Sequence, residues 1–506
     1  MPDDHPSDDE LTRPLEGAAE ASAAEGPDSP AIGRDEWVAR HDERRGLRGG
    51  WLGTLELRLR AVPWWAWLTL FVALVALLPV GFESGYVRRV AFDTVIFMLL
   101  ALGLNVVVGW GGLLDLGYVA FFGIGAYTYA LVSSDKYDIH LPTIVSVPLV
   151  VAVGAIVGLL VGLPSWRLVG DYLAIVTLFF FQLFLTFTNN GDSVFGADLT
   201  GGPNGILNVD PLSFFGHALA VSHEGIFSVA YLYVALGFFV VVFVALRLAN
   251  DSRTGRAWRS LREDPLAAEA MGMPTDWLKL MAFAFGSAVA ALGGSLTTAL
   301  NASVFPQNFE FPLLITVYTI VILGGAGSQV GVVLGAILIS VLLEALREAD
   351  DARYIFYSMA ILGLVAALRL SHKLGLVLGG TIAFGFAGHA LAEAIDPSWT
   401  AGAPYGPGRL ADWVANWVII PADLAGWIAP VSYIGLVAAA LALTLIKGRL
   451  RLVLLVPTIY LAAFVWENVM LAKPESTRFI ILGVILVAVM IARPSGILGE
   501  RRVEIL

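Results

Sequence analysis

The sequence predicts an all-α polytopic membrane protein: a transmembrane helical bundle of about 12–14 spans, both termini cytoplasmic, with broken glycine-rich helices. Two observations carry this. The 506 residues are 57% hydrophobic and only 14% charged, and several apolar runs reach the roughly 18 residues that cross a bilayer as helix. The arginines and lysines also collect in alternate polar gaps, as they do in the cytoplasmic loops of membrane proteins.

Candidate spans read in order as 64–80, 90–108, 113–132, 143–163, 172–188, 226–246, 279–300, 313–324, 329–345, 354–370, 374–392, 428–446, 451–470 and 479–492. Basic residues on the inner side are the run RRGLRGG before the first span, Arg167, the island 247–273, Arg369 with Lys373, KGRLR at 447–451, and Arg501 with Arg502. The loops 189–225 and 301–312, on the proposed outer side, contain no Lys or Arg. Arg88, Arg89, Arg347, Lys473 and Arg478 oppose the pattern. Residues 1–50 read as a disordered acidic cytoplasmic tail, and residues 1–45 hold 13 of the acidic side chains against 5 basic ones. The tail lacks the basic start and apolar core of a signal peptide.

With no cysteine in the chain, disulfides and thiol chemistry are excluded. No HExxH pair and no GxxxxGKS/T loop occurs, so neither a zinc-protease site nor a P-loop is expected, and no metal site or catalytic residue is assigned. Ionisable residues inside the apolar runs are few: Asp93, Asp115, Glu344, His389 and Glu467. Asp93 follows Arg88 and Arg89, so a local ion pair is expected there. His389 and Glu393, four apart, share a helical face.

The island RLANDSRTGRAWRSLREDPLAAEAMGM, residues 247–273, carries unusually clear helix signals. Thr254 is placed to cap a first short helix. Asp264 is placed to cap a second, with Pro265 at its first position and Gly272 just past its end. Such construction suits a helix that docks onto another protein. Two further places, GWGGLLDLGYVAFFGIGAY (109–127) and LGGAGSQVGVVLGA (323–336), are glycine-interrupted apolar runs, which in transporters often mark the substrate path.

Four blocks in order resemble the permease subunits of branched-chain amino-acid ABC importers: LNVVVGWGGLLDLGYVAFFGIGAYT from Leu104, GDYLAIVTL from Gly170 with TGGPNGI from Thr200, GRAWRSLREDPLAAEAMGM from Gly255, and the run Phe305–Leu346. The resemblance implies a core at 51–370, whose coupling loop is 247–279. It implies two ATPase subunits, a second homologous permease, an extracytoplasmic substrate-binding protein, a small-molecule substrate and surrounding membrane lipid as partners, in a bacterial plasma membrane. Nucleic acid is not a partner. ATP and Mg are expected on the ATPase subunits, with no cofactor bound by this chain, which would be no enzyme itself.

By the same resemblance, ATPase coupling falls to Gly255, Arg256, Ala257, Glu263, Asp264, Ala267, Ala268 and Gly272, with Ala267, Ala268 and Ala270 forming a small-residue surface. Pathway candidates are Asn105, Asp115, Tyr118, Gly123, Gly125, Asp171, Tyr172, Thr177 and Gln182, and Gln182 stands where the family carries an acid. Thr200, Gly201, Gly202 and Asn204 belong to an extracytoplasmic loop. Residues 371–475 look like an insertion of additional transmembrane segments, followed by a final helix and cytoplasmic tail at 476–506. Both 353–370 and 477–499 resemble the family's last helix. A urea or short-amide permease of the same kind is the alternative within this class. An ion-coupled secondary transporter is the alternative outside it, and would need intramembrane ion-binding residues, which are sparse.

Overall fold

The computed structural model describes residues 63–499, apart from 82–83, 167, 169, 194–197, 215–216, 220–221, 224–225, 369–370, 407, 447 and 494. The acidic tail, both termini, Arg167, Arg369, Arg501 and Arg502 lie outside the described residues. Two compact units are distinguished, Met1–Val75 and Ala76–Leu506. The described part of the first is the start of one apolar helix, α1 (Trp64–Gly81). The rest of the fold belongs to the second.

There the chain runs through α2 (Gly85–Leu104), α3 (Tyr118–Val132), α4 (Thr143–Gly162), α5 (Asp171–Asn190) and α6 (Val229–Asp251). Two short helices follow, α7 (Arg253–Glu263) and α8 (Pro265–Ala270), then α9 (Thr275–Asn301), α10 (Phe311–Gly324), α11 (Gln329–Ala345) and α12 (Ala349–Leu368). The C-terminal part adds α13 (His372–Ile395), α14 (Arg409–Ala415), α15 (Ile428–Leu445), α16 (Arg449–Val465) and α17 (Pro474–Ala492).

Each of the fourteen apolar segments read from the sequence contains a helix among the described residues. Among the described residues nine helices are long and apolar enough to cross a membrane, α11 and α12 form a pair bent by 117°, and three are shorter apolar helices. The protein is a multi-pass membrane protein. One segment needs correction: 113–132 is not continuous, because α2 runs on through a π-turn (Asn105–Trp110), residues 111–117 are irregular, and α3 starts only at Tyr118. Gly112, at φ +67°, makes that break.

Burial ranks the helices. The apolar windows of α2 and α9 are each 72% buried, whereas α15 is almost wholly exposed or half-buried. The first two form the centre of the bundle, and α15 faces outward. Close approach at the centre depends on small residues, since lipid offers no hydrophobic drive between helices. A side chain at Gly125 would overlap the backbone of Ala291 on α9, and one at Gly294 would overlap the carbonyl of Phe122 on α3.

The C-terminal helices are tied to α12 by charge. Arg353, on α12, and Glu467, on a π-turn at Trp466–Met470, are both fully buried. Arg353 Nε donates to both carboxylate oxygens at 3.1 Å, and Nη2 donates to Oε2 at 3.0 Å. Tyr357 Oη donates to Oε1 at 3.2 Å, and Arg353 Nη2 also reaches the Tyr405 carbonyl at 2.9 Å. Such bidentate geometry is what lets an ion pair persist away from water. The last helix returns to the core: Ile497 N–H donates to Leu323 O at 2.8 Å and Leu498 N–H to Gly324 O at 3.1 Å, so the tail after α17 occupies carbonyls left free at the end of α10. Of the other intramembrane ionisable residues, Asp93 pairs with Arg89 at 3.1 Å as expected.

Candidate functional site

The arginine-rich island folds as two capped helices set on the end of the bundle. Ser252 caps α7, its Oγ accepting from Gly255 N–H at 3.4 Å. The cap expected at Thr254 is thereby corrected: the chain turns at Asp251, and Thr254 is already inside the helix. Gly255 lies against the Asn250 backbone, where a side chain would not fit, so its role is to close that turn. Gly255, Trp258 and Arg262, spaced three and four apart, lie on one helical face. Trp258 is fully buried, donates from Nε1 to Leu278 O at 2.8 Å, and stacks on Trp110 with ring centroids 6.1 Å apart.

The second helix starts as expected. Asp264 Oδ1 accepts from Leu266 N–H at 2.9 Å and Ala267 N–H at 3.0 Å, Pro265 takes the first position, and Gly272 sits past the end at φ +77°. Replacing Asp264 by alanine is expected to destabilise this helix by about 1 kcal/mol, read as faster proteolysis or hydrogen exchange across 265–271. The small-residue surface is only partly as expected. Ala267 and Ala270 are exposed, but Ala268 is buried against the support beneath. What projects instead is Leu266, 78% exposed, and Met271, 81% exposed. Ala257 is half-buried, Glu263 is exposed, and Arg256 is exposed with its guanidinium on Asp251 O at 3.1 Å.

Arg262 joins this helix pair to both glycine interruptions. Its Nη1 donates to Gly109 O at 2.6 Å and lies 3.4 Å from Ala326 O. Both carbonyls stand at helix C-termini, of α2 with its π-turn and of α10, where acceptors are unpaired and a cation is favoured. The two interruptions also touch directly. Asn105 Oδ1 accepts from Gly327 N–H at 2.7 Å, and Trp110 Nε1 donates to Gly327 O at 3.0 Å. Gly327 has φ +96°, and a side chain there would meet the Arg262 guanidinium. Glycine at 327 is thus required both by conformation and by the arginine.

The pathway candidates fall into three groups. Asn105, Asp115, Tyr118 and Thr177 are buried around the first interruption. Asp115 Oδ1 accepts from Gly117 N–H at 2.8 Å, Thr177 Oγ1 accepts from Leu116 N–H at 2.9 Å, and Tyr318 Oη donates to Asp115 O at 2.6 Å. Asp115 Oδ2 and Asn105 Nδ2 are buried without a hydrogen-bond partner among the described residues. Gly123 and Gly125 serve packing, against the Phe184 ring and the Ala291 backbone. Asp171, Tyr172 and Gln182 lie exposed on α5, away from the first group. None of the nine lines the cavity at the far end of α2.

On the face opposite Arg262 the TGGPNGI loop forms a compact cap. Thr200 Oγ1 donates to Thr188 O at 2.8 Å, Gly201 N–H donates to Asp198 Oδ1 at 2.7 Å, and Gly201 and Gly202 both have positive φ. Asn204 is exposed. Ile206–Leu207 then pairs antiparallel with Ser303–Val304, which brings the two loops lacking Lys and Arg to the same face. His140 Nδ1 lies 2.6 Å from Asp210 Oδ2, with Asp135 and Asp138 beyond. The hydrogen bond to Asp210 raises the imidazole pKa above its ordinary value. The paired form is the protonated one, so the contact is complete below about pH 6.5 and lost as pH rises through the raised value. Thermal stability is expected to be lower at high pH than at low pH in this range, and His140→Gln is expected to remove that difference.

Arg262, Trp258, Leu266, Met271 and Tyr318 are the residues that sequence reasoning passed over. The spacing of Trp258 and Arg262 on the Gly255 face was the available signal for the first two.

Comparison with known proteins points one way. The family described as branched-chain amino acid transport system / permease component matches residues 86–368. The high-affinity branched-chain amino acid transport system permease protein LivM of Salmonella typhimurium is 38% identical over 292 residues, covering 54% of this chain and 65% of that protein. Its counterpart in Escherichia coli is 39% identical over the same shares. A probable branched-chain amino acid transport permease protein LivM of Methanocaldococcus jannaschii is 28% identical over 53% of this chain and 77% of its own length. The chain thus spans just under two thirds of the first two relatives. No solved structure matches.

Proposed function

The chain belongs to the branched-chain amino acid transport permease family, and from that premise we propose that it is the membrane-spanning subunit of an ATP-driven importer of branched-chain or related apolar amino acids. The observation that carries the coupling part of this reading is the capped α7–α8 pair, with Leu266 and Met271 projecting from one end and Arg262 fixed to both glycine interruptions at the other. Exposed apolar side chains on a rigid helix at a polar face suit a groove on a partner protein. Two ATPase subunits are that partner, bound at the cytoplasmic face. They carry the ATP and Mg, and this chain binds no cofactor.

A second homologous permease completes the membrane assembly in the bacterial plasma membrane, and an extracytoplasmic binding protein delivers substrate to the face bearing the TGGPNGI cap. In the mechanism, closure of the ATPase dimer displaces α8. Asp264 and Pro265 keep that helix rigid, Trp258 holds α7 against α9, and Arg262 transmits the displacement to residues 109–112 and 325–327. The non-helical backbone at 111–112 and 325–327 supplies the hinge.

The test is Leu266→Glu combined with Met271→Glu. Permease levels in the membrane are expected to stay unchanged, while ATPase subunits no longer copurify and amino-acid uptake falls to background. Uptake that survives this change, or that persists after ATP depletion with the ion gradient intact, contradicts the reading.

A further inference from the structure

At the far end of the bundle from Arg262, helices α2, α3, α9, α10 and α11 line an open cavity of about 310 Å³. Its size is at the lower end of ligand pockets, which hold about 300–1,000 Å³, and suits one small molecule. The wall is divided chemically. Leu100, Phe122 and Leu313 form an apolar side, while Asp93 and Glu344 bring two carboxylates from α2 and α11 to the other.

The carboxylates are held in place from outside the cavity. Arg89 pairs with Asp93 at 3.1 Å and donates to Asn301 Oδ1 at 2.9 Å, while Tyr86 Oη donates to Glu344, which Arg347 also contacts at 3.1 Å. Ser340, one helical turn before Glu344, also lines the cavity. It is 6% exposed, and its hydroxyl is buried with no hydrogen-bond partner among the described residues. A buried hydroxyl left unpaired is unfavourable, and a bound polar group that reached it would remove that cost.

We propose that this cavity is a binding chamber for a small molecule carrying a primary ammonium and an apolar side chain, with the ammonium between Asp93 and Glu344, the Ser340 hydroxyl as a further acceptor, and the side chain against Leu100, Phe122 and Leu313. The chamber deepens the proposed function and rests on it: an importer of apolar amino acids needs a stage between release from the binding protein and entry to the inner face. Two acids and an apolar wall select for the ammonium and the hydrocarbon. An amide such as urea, or a carboxylic acid lacking nitrogen, lacks the group that the acids recognise.

The cysteine-free chain makes the test direct. Ser303→Cys and, separately, Thr297→Cys, both of which line the cavity, are introduced into the complete transporter in membranes. Each is labelled with a small thiol reagent applied from outside, and leucine uptake is measured in the same preparation. Saturating leucine is expected to slow labelling of both cysteines about tenfold, as occupancy at ten times the Kd requires. Leucinamide, which keeps the ammonium, is expected to protect; 4-methylpentanoate and urea are not. Labelling unaffected by leucine at both positions, in a preparation that still imports leucine, overturns the chamber alone. Protection by 4-methylpentanoate equal to that by leucine overturns the role of the acids. Absence of leucine uptake by the unaltered transporter overturns the proposed function itself.

Discussion

Arg262→Ala is expected to leave an assembled, ATP-hydrolysing transporter that no longer imports efficiently. The arginine contacts both glycine interruptions from the helix pair, through Gly109 O and Ala326 O. Hydrogen bonds with a charged partner contribute about 1.5–3 kcal/mol, and coupling free energies between sites are of similar size, about 1–3 kcal/mol. Loss of the contact therefore lowers uptake on the order of tenfold to a hundredfold, while ATP hydrolysis by the bound ATPases falls much less. Arg262→Lys is expected to recover only part of the loss: both contacts come from the single nitrogen Nη1, and the shorter lysine side chain brings its ammonium less far toward the two carbonyls. Equal loss of uptake and of ATPase binding would assign Arg262 to docking instead. The variant separates these outcomes because Leu266 and Met271 remain on the surface, supported by the Asp264 cap and Trp258.

Removing either partner of the Arg353–Glu467 pair is expected to have the largest effect on stability. With both side chains fully buried, a single replacement strands a charge away from water, a loss of about 3–5 kcal/mol. Glu467→Leu or Arg353→Met alone should therefore lower the melting temperature in detergent and the amount of protein in the membrane. The double variant, which leaves only the partly exposed Asp350 carboxylate of the group, should recover most of both, since well-packed apolar residues often replace a buried pair at little cost. A double variant worse than either single one would mean that the Tyr357 and Tyr405 contacts depend on the charges. This pair also bears on the additional helices: if they are attached through it, its loss should loosen α13–α16 before the α2–α9 centre.

The fourteen apolar segments were legible because membrane crossing depends on local composition and length. Asp264, Pro265 and Gly272 were legible for a similar reason: their partners lie within a few residues. Ser252 and Thr254 were equally able to cap α7, and the choice between them depends on where the chain turns after α6. The Arg262 contacts span 153 and 64 residues, so no local pattern announces them, although the face shared with Gly255 and Trp258 marks that arginine as inward. Asp93, Ser340 and Glu344 come together only when α2 and α11 pack. The same holds for Arg353 and Glu467, 114 residues apart. The first interruption was visible as a glycine run, but the start of α3 at Tyr118 depends on the Thr177 and Tyr318 contacts that hold residues 115–116 outside any helix.

The central claim is that the docked helix pair and the glycine interruptions move as one piece. Pairs of cysteines carrying spin labels, introduced into the cysteine-free chain, measure this in the assembled transporter with and without ATP. Glu269 and Val330 are exposed near the two ends of the Arg262 link, and Leu207 is an exposed reference on the opposite face. The Glu269–Val330 distance is expected to stay constant on ATP binding while both distances to Leu207 change together. A Glu269–Val330 distance that changes while Val330–Leu207 stays fixed would contradict it.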